Sequence, residues 1–331
     1  MNLPLLSLSL FKQLFACSIL CILAVCNALG QTTSSFPSKP IRIIVPFAAG
    51  TTTDQAARFI AQRITDLTKQ PVIVDNKAGA NGFIGLQFLL QQPHDGYSIM
   101  IGTNTTHAAN SALFKKLPYD PVADFIPLTG VIVGGVVLAV SPKMPVNNVM
   151  ELVALLKKSP GKYTFGSGNS SSRGGGEVFK DLAGVDIVHV PYKALTMAIT
   201  DLMGGQIDMV FGDAPALMPQ VRSGKLKALG VSTANRMPGY EDIPTISEQG
   251  LTNYEVTGWL AAFAPRGTPP EIAEKLSKII SDIMRSQDAE NFFGANAWKP
   301  IPSTGAELAA FQKSEIEKWQ RLVKNAGIQP E

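Results

Sequence analysis

The chain has 331 residues, with 29 Lys and Arg against 26 Asp and Glu. A net charge near +3 leaves nucleic-acid binding without an electrostatic footing, and no nucleic-acid partner is expected. The length and a 45% hydrophobic share suffice for two domains of ordinary size.

The N-terminus reads as an export leader. Lys12 precedes an apolar run, Leu14 to Val25, and Ala28 and Gly30 put small residues at −3 and −1 of a cut before Gln31, the layout of a secretory signal. A membrane anchor needs about 20 predominantly apolar residues, and Pro4, Lys12 and Gln13 interrupt the only stretch near that length. Val25 before Cys26 and Phe15 before Ala16-Cys17 fit a lipoprotein site poorly. The expectation is a signal peptide over 1–30 and a soluble mature chain in the periplasm. Cys17, Cys21 and Cys26 all fall in the leader, so the mature chain has no thiol nucleophile and no Cys-ligated metal.

From residue 41 the pattern alternates. Ile41 to Val45 is a β-branched strand stopped by Pro46, and Ala56, Ala57, Ile60, Ile64 and Leu67 recur at helical spacing. Val72 to Val74 is a strand, Phe83 to Gln91 a helix, and Tyr97 to Ile101 a strand entering a polar loop, Gly102 to His107. A second block follows: helix Val146 to Lys158 with Asn147 as cap, strand Tyr163 to Gly166, and a helix around Glu177 to Leu182. Strands Ile187 to Val190, Met209 to Phe211 and Leu226 to Val231 alternate with helices Leu195 to Met203 and Ala214 to Arg222. Apolar stretches at Val131 to Val140 and Val256 to Ala264 bracket this block as crossing points. Pro269-Pro270-Glu271 opens a helix to Met284, and Thr304 and Glu307 have capping-box spacing before a last helix ending near Gly327.

Such alternation predicts an α/β fold with a mostly parallel sheet covered on both faces. Two α/β domains joined by two interdomain crossings fit the pattern, with domain 1 discontinuous (31–130 plus 258–331) and domain 2 at 131–257. A cleft that captures a ligand by hinge closure follows from that layout.

Three strand-to-helix loops carry the candidate chemistry. The first comprises Phe47, Ala48, Ala49, Gly50, Thr51, Thr52, Thr53 and Asp54. Free N–H groups at a helix start favour an anion such as a carboxylate, while Thr51 and Asp54 also have the spacing of an ordinary capping box. The second offers Asn104, Thr105 and Thr106. The third, Gly166 to Gly176, has no hydrophobic side chain: its glycines permit unusual backbone angles, and Ser167, Asn169, Ser170 and Arg173 are mostly donors. Arg173 can grip a carboxylate with two parallel hydrogen bonds, or instead pair across the domains or face solvent. At a fourth corner, before Ala214, Asp213 reads as a helix cap ahead of a ligand contact. Phe47, Phe211 and Tyr192 are aromatics for an apolar wall or, more ordinarily, core.

Enzyme readings find no support, and no catalytic residue, metal or cofactor is expected. Gly166-Ser167-Gly168 lacks Gly-x-Ser-x-Gly spacing, Gly79 to Gly85 lacks both Gly-x-Gly-x-x-Gly and a phosphate-loop Lys, and His94, His107 and His189 are far apart. His189 reads as a core histidine.

Several motifs resemble those of one family in order. They are Phe36-Pro37-Ser38-Lys39-Pro40-Ile41-Arg42-Ile43-Ile44-Val45-Pro46-Phe47, Asp95-Gly96-Tyr97, Lys116-Leu117-Pro118-Tyr119-Asp120-Pro121 and His189-Val190-Pro191-Tyr192-Lys193. Asp201-Leu202-Met203-Gly204-Gly205-Gln206-Ile207-Asp208, Ser223-Gly224-Lys225-Leu226 and Ala264-Pro265-Arg266-Gly267-Thr268-Pro269 continue the match. Over essentially the whole mature chain this resembles the Bug-type substrate-binding proteins of tripartite tricarboxylate transporters.

The resemblance implies a two-domain, type II-like Venus-flytrap periplasmic-binding-protein fold holding a small carboxylate in its cleft. The holding groups would be Phe47 to Asp54 and Asn104 to Thr106 on one side, and Ser167 to Arg173 with Asp213 and Ala214 on the other. It implies a monomer delivering its ligand to membrane permease subunits, or to a sensor kinase in a signalling variant. Departures surround the ligand. Ala48-Ala49-Gly50-Thr51 replaces the family's paired prolines and glycines, and Arg173 stands near a commonly seen histidine. That extra guanidinium suggests a ligand with a second anionic group.

Overall fold

Ile41–Val45 forms β1, buried along nearly its whole length, as a β-branched run in the middle of a covered sheet should be. The structure is a computed structural model describing residues 36–325 and 327–330; the expected leader and its cysteines lie outside them. Pro40–Glu331 forms one compact unit. After β1 come α1 (Thr52–Thr68), β2 (Val72–Asn76), α2 (Phe83–Leu90) and β3 (Ser98–Thr103). Thr105–Ala109 then makes a π-helical turn into α3 (Asn110–Leu113). β4 (Phe125–Val140) is followed by α4 (Val149–Lys157), β5 (Thr164–Ser167), α5 (Ser170–Ala183), β6 (Val188–Pro191), α6 (Leu195–Gly204), β7 (Met209–Asp213), α7 (Ala214–Arg222) and β8 (Lys227–Val231). β9 (Thr257–Pro265), α8 (Pro270–Met284), α9 (Gln287–Gly294), β10 (Lys299–Pro300) and α10 (Gly305–Asn325) complete the order.

The strand order is β2-β1-β3-β9-β4-β7-β5-β6, with β8 and β10 also paired to β4. The expected parallel sheet is present as two parallel groups, β1 to β3 and β5 to β7. Between them, the two apolar stretches read as crossings pair antiparallel as β4 and β9, from Phe125↔Pro265 to Gly135↔Thr257. β4 then continues alone into the second group, flanked by β7 and β8. Its apolar run is explained by burial on both faces. Val136, Leu138 and Val140 face one cluster with Phe165, Phe179 and Phe211. Val137 and Ala139 face another with Leu202 and Leu217.

Helix starts follow local chemistry. Thr304 and Glu307 form the expected capping box, with Thr304 N–H donating to Glu307 Oε2 (2.8 Å) and Glu307 N–H to Thr304 Oγ1 (3.2 Å). The cap of α4 is Asn148 rather than Asn147: Asn148 Oδ1 accepts from Glu151 N–H at 2.8 Å. α9 and β10 were not anticipated, being too short to show a period.

The third segment differs most from expectation. Gly166 and Ser167 end β5, and only Gly168 lies between the strand and Asn169, whose Oδ1 caps α5 by accepting from Ser172 N–H at 2.8 Å. Gly174, Gly175 and Gly176 are helical and buried. Their value is close approach: a Cβ at Gly175 would lie 2.7 Å from Phe211 Cβ, and one at Gly176 2.1 Å from the Phe165 ring.

Candidate functional site

In the first loop the polar groups are spent on one another. Thr51 caps α1, its hydroxyl donating to Ala48 O (2.8 Å) and accepting from Asp54 N–H (3.4 Å). Asp54 is buried and takes bonds from Gly50 N–H (2.9 Å), Arg58 Nε (3.0 Å) and Asn76 Nδ2 (3.0 Å). Burial pushes its carboxyl up, but these donors and the Arg58 charge outweigh that and hold it below the ordinary value. Half of the expected capping box is present: Thr51 caps Asp54 N–H, but the Asp54 carboxylate closes on Gly50 N–H, while Thr51 N–H goes to Ala48 O. Ala48, Ala49 and Gly50 are exposed at the tip, and Phe47 and Thr52 are half-buried.

The second and third segments meet. Asn104, Thr105, Thr106 and His107 are buried, although the sequence read them as a polar loop. Asn104 Nδ2 donates to Ser171 Oγ at 3.2 Å, and its Oδ1 accepts from Trp319 Nε1 at 2.7 Å. Thr105 Oγ1 accepts from Ser170 N–H at 3.3 Å, one of the free donors at the start of α5. Thr106 instead braces its own turn, bonding Thr103 N–H (2.9 Å) and His107 Nδ1 (2.8 Å). Gly82, at φ 90°, brings the first loop alongside: a Cβ there would strike Thr106 Cγ2 at 2.5 Å and approach Pro46 Cβ at 3.3 Å.

Because β5, β6 and β7 are parallel, Ser167, Pro191 and Asp213 end at the same edge of the sheet. Ser167 Oγ lies 2.7 Å from His189 Nε2, a hydroxyl–imidazole pair that sequence spacing did not reveal. Burial, with the Arg173 charge adding to it, pushes His189 down to about 4, so the ring is neutral and a weak base. Among the described residues no carboxylate bonds its Nδ1, so a triad's third member is missing. The pair orients the Ser167 hydroxyl. Arg173 Nε is 4.0 Å from Glu177 Oε1 on the next turn of the same helix.

Asp213 occupies the N-cap position of α7 but makes no capping bond, contrary to the cap reading. It is half-buried, and burial pushes its carboxyl up to about 6. Ala214 beside it is fully buried. Phe211 belongs to the core, and Tyr192 donates to Asp201 Oδ2 at 2.8 Å.

The structure thus gathers Asn104, Thr105, Ser170 and, through Gly82, the first loop, with Ser167, Asn169 and Asp213 along the adjoining edge. Sequence reasoning missed Ser171, Gly82, His189 and Trp319. Ser171 lay within a segment already singled out; the others have no local signal, since their partners are distant in sequence. Among the described residues no group of three His, Cys, Asp or Glu is placed to hold a metal ion.

The fold is that of the α/β periplasmic solute-binding proteins. The model of the tripartite tricarboxylate transporter family receptor matches residues 56–328, and the chain belongs to that family. Protein BugT of Bordetella pertussis is 31% identical over 299 residues, 89% of this chain and 92% of its own. Among solved structures, R. palustris Rpa4515 with adipate is 31% identical at a TM-score of 0.86, covering 89% of this chain and 100% of that one. MatC from Rhodopseudomonas palustris with bound malate is 28% identical at 0.79, covering 87% and 100%.

Proposed function

We propose that this chain is a periplasmic receptor that captures a small carboxylate between the Asn104–Thr106 turn and the first turn of α5, and delivers it to permease subunits of a tripartite tricarboxylate-type transporter. The observation that carries the reading is the Thr105 hydroxyl oxygen on the Ser170 N–H at the start of α5. An oxygen from one side of the cleft already sits where a helix start favours a carboxylate oxygen. The adipate and malate held by the two relatives support the same ligand class.

In this reading residues 31–130 and 258–331 make one lobe and 131–257 the other, with β4 and β9 as the crossings. The tip Phe47 to Thr52, Ser167, Asn169 and Arg173 line the cleft around the anion, and Ala214 closes its floor. Thr51, Asp54 and Thr106 hold the loops in shape. The expected leader and the family's role support export to the periplasm.

The test is thermal denaturation of the exported protein, unfolded and refolded to strip bound ligand, against mono-, di- and aromatic carboxylates including adipate and malate. A ligand at about 100 times its Kd stabilises the native state by about 2.7 kcal/mol, a rise of several degrees in Tm. Esterifying the carboxylate should abolish the shift. No rise with any acid would overturn the reading.

A further inference from the structure

Both neighbours of β4 change between Val133 and Val136. At Val133 the strand lies between β9 and β10, opposite Trp259 and Lys299. Beyond it the strand lies between β7 and β8, with Asp213 opposite Val136 and Val231 opposite Val137. The last rungs joining β4 to β9 are Gly134↔Gly258 and Gly135↔Thr257.

One residue fills the fork where the two strands part. Ser232 is fully buried and bonds each strand twice. Its N–H donates to Val136 O (2.9 Å), and its Oγ accepts from Val136 N–H (2.8 Å). Its own carbonyl accepts from Val256 N–H (3.1 Å), and its hydroxyl donates to Val256 O. A single serine thus stands in for the rung that Val136 and Val256 would otherwise form.

Next to that clasp the crossing strands are bare. A Cβ at Gly134 would lie 2.7 Å from the Trp298 ring, and one at Gly135 2.6 Å from Thr233 Cγ2. Trp298 leads into β10, whereas Thr233 follows Ser232, so the two glycines are covered from opposite sides of the fork. Trp298 is buried, and its Nε1 meets no acceptor among the described residues; packing alone holds the ring on Gly134. A Cβ at Gly258 would lie 3.0 Å from Ser171 Oγ and 3.6 Å from Ser171 Cβ. The first turn of α5 therefore rests on the bare backbone of β9.

We propose that the two lobes turn about Gly134–Gly135 and Thr257–Gly258, with Ser232 clasping both crossing strands to one lobe and Gly258 kept bare as the seat on which α5 lands at closure. The inference rests on the two-lobe reading above. Ser232 keeps its side of the turn rigid, because releasing it would leave four buried backbone groups of the crossing strands unpaired. Glycines change φ and ψ at little steric cost, and hinges use a few such positions. The Trp298 ring over Gly134 limits the excursion. Apparent affinity scales with the fraction of receptor able to close, so these residues tune binding without touching the ligand.

Spin labels test this. Residues 31–331 contain no cysteine, so Ala78→Cys and Lys193→Cys give a unique label pair. Both positions are exposed and follow β2 and β6, at the strand ends that border the cleft. Distances are measured by pulsed electron paramagnetic resonance on the stripped, ligand-free receptor. Adding Gly258→Ala should lower the share of the short-distance, closed form at least about fivefold. Adding Gly204→Ala, whose methyl meets nothing nearer than 4.0 Å, should leave it unchanged. Trp298→Leu uncovers Gly134 and should broaden the distribution. A distribution that Gly258→Ala does not move overturns the inference; with no acid present, that result leaves the carboxylate reading standing. Should Gly258→Ala not fold, Trp298→Leu decides, and an unchanged width overturns the inference. A shift seen here together with failure of every acid in the thermal screen sinks the carboxylate reading and keeps the hinge.

Discussion

Trp319, near the end of the last helix, donates its indole N–H to Asn104 Oδ1 at 2.7 Å, across 215 residues of sequence. The same ring lies 2.6 Å from where a Cβ at Gly174 would stand. One side chain thus fixes the Asn104 amide and packs against α5. Gln312 strengthens the strap, its Nε2 donating to His107 O (3.0 Å) and Pro121 O (2.8 Å). The C-terminal helix is therefore part of the scaffold that aims the Asn104 amide at Ser171.

Trp319→Phe keeps an aromatic ring against Gly174 but removes the donor. Asn104 is 1% exposed, so its carbonyl oxygen loses its partner in a dry setting, at a cost of about 1–3 kcal/mol. Thermal denaturation should register a fall of several degrees. A Tm unchanged from wild type would show that the bond contributes nothing to stability.

Most of the fold was legible because its signals are local. Ala56, Ala57, Ile60 and Ile64 repeat at helical spacing and are the buried face of α1. The continuous apolar runs around Val131 to Val140 and Val256 to Ala264 stood out as crossing points at the two ends of the second block, and they are the segments that pair as β4 and β9. The junction was legible in its members but not its arrangement. Gly174 to Gly176 look like a flexible loop until Trp319, Phe211 and Phe165 are known to press on them. Asp213 stands where caps stand, and only the structure reveals that it caps nothing. Ser167 and His189 touch because β5 and β6 are neighbours in the sheet, a pairing that spacing along the chain does not encode.

Gly176→Ala separates helix propensity from packing. In an open helix, alanine would gain about 1 kcal/mol over glycine. At Gly176 the added methyl would stand 2.1 Å from the Phe165 ring, itself fully buried, and overpacking of this kind costs about 1–3 kcal/mol. The expected net is destabilisation, read as a lower urea midpoint. Gly204, whose added Cβ would meet nothing nearer than Gln206 at 4.0 Å, is the control. Gly204→Ala should be neutral or slightly stabilising, and equal loss at both sites would refute the packing argument.

Asp54→Asn tests whether the first loop is held by its buried carboxylate. The amide retains the shape but loses the charge that draws Arg58 and one of the acceptors serving Gly50 and Asn76. Charge-assisted bonds of this sort contribute about 1.5–3 kcal/mol each. The variant should melt lower, with amide hydrogen exchange accelerated at Gly50 and through the first turn of α1. Unaltered exchange at Gly50 would mean that the loop is shaped by Thr51 and its neighbours alone.

Stability should fall on mild acidification, and the buried histidines set the window. His107 is fully buried, stacked 3.8 Å from the Phe263 ring, and burial pushes it down to about 3; His189 is held near 4. Both folded values lie below the unfolded one, about 6.5. The unfolded chain therefore binds protons first, so the histidine contribution is complete above pH 6.5 and is lost as the pH falls toward 4 and then 3. For His107 alone the loss down to pH 4 is roughly 3 kcal/mol. Asp213 and Glu177, both raised mainly by burial, act in the opposite sense: their penalty is present at neutral pH and is relieved as they protonate. The two histidines, displaced further together, dominate between pH 6.5 and 4. Asp54, held low, adds its loss only below its unfolded value near 3.8. Urea denaturation at half-unit pH steps should give a stability plateau near neutrality and a steady decline below 6.5. His107→Gln should be less stable at pH 7 yet lose less between 6.5 and 4. An unchanged acid limb in that variant would assign the decline elsewhere.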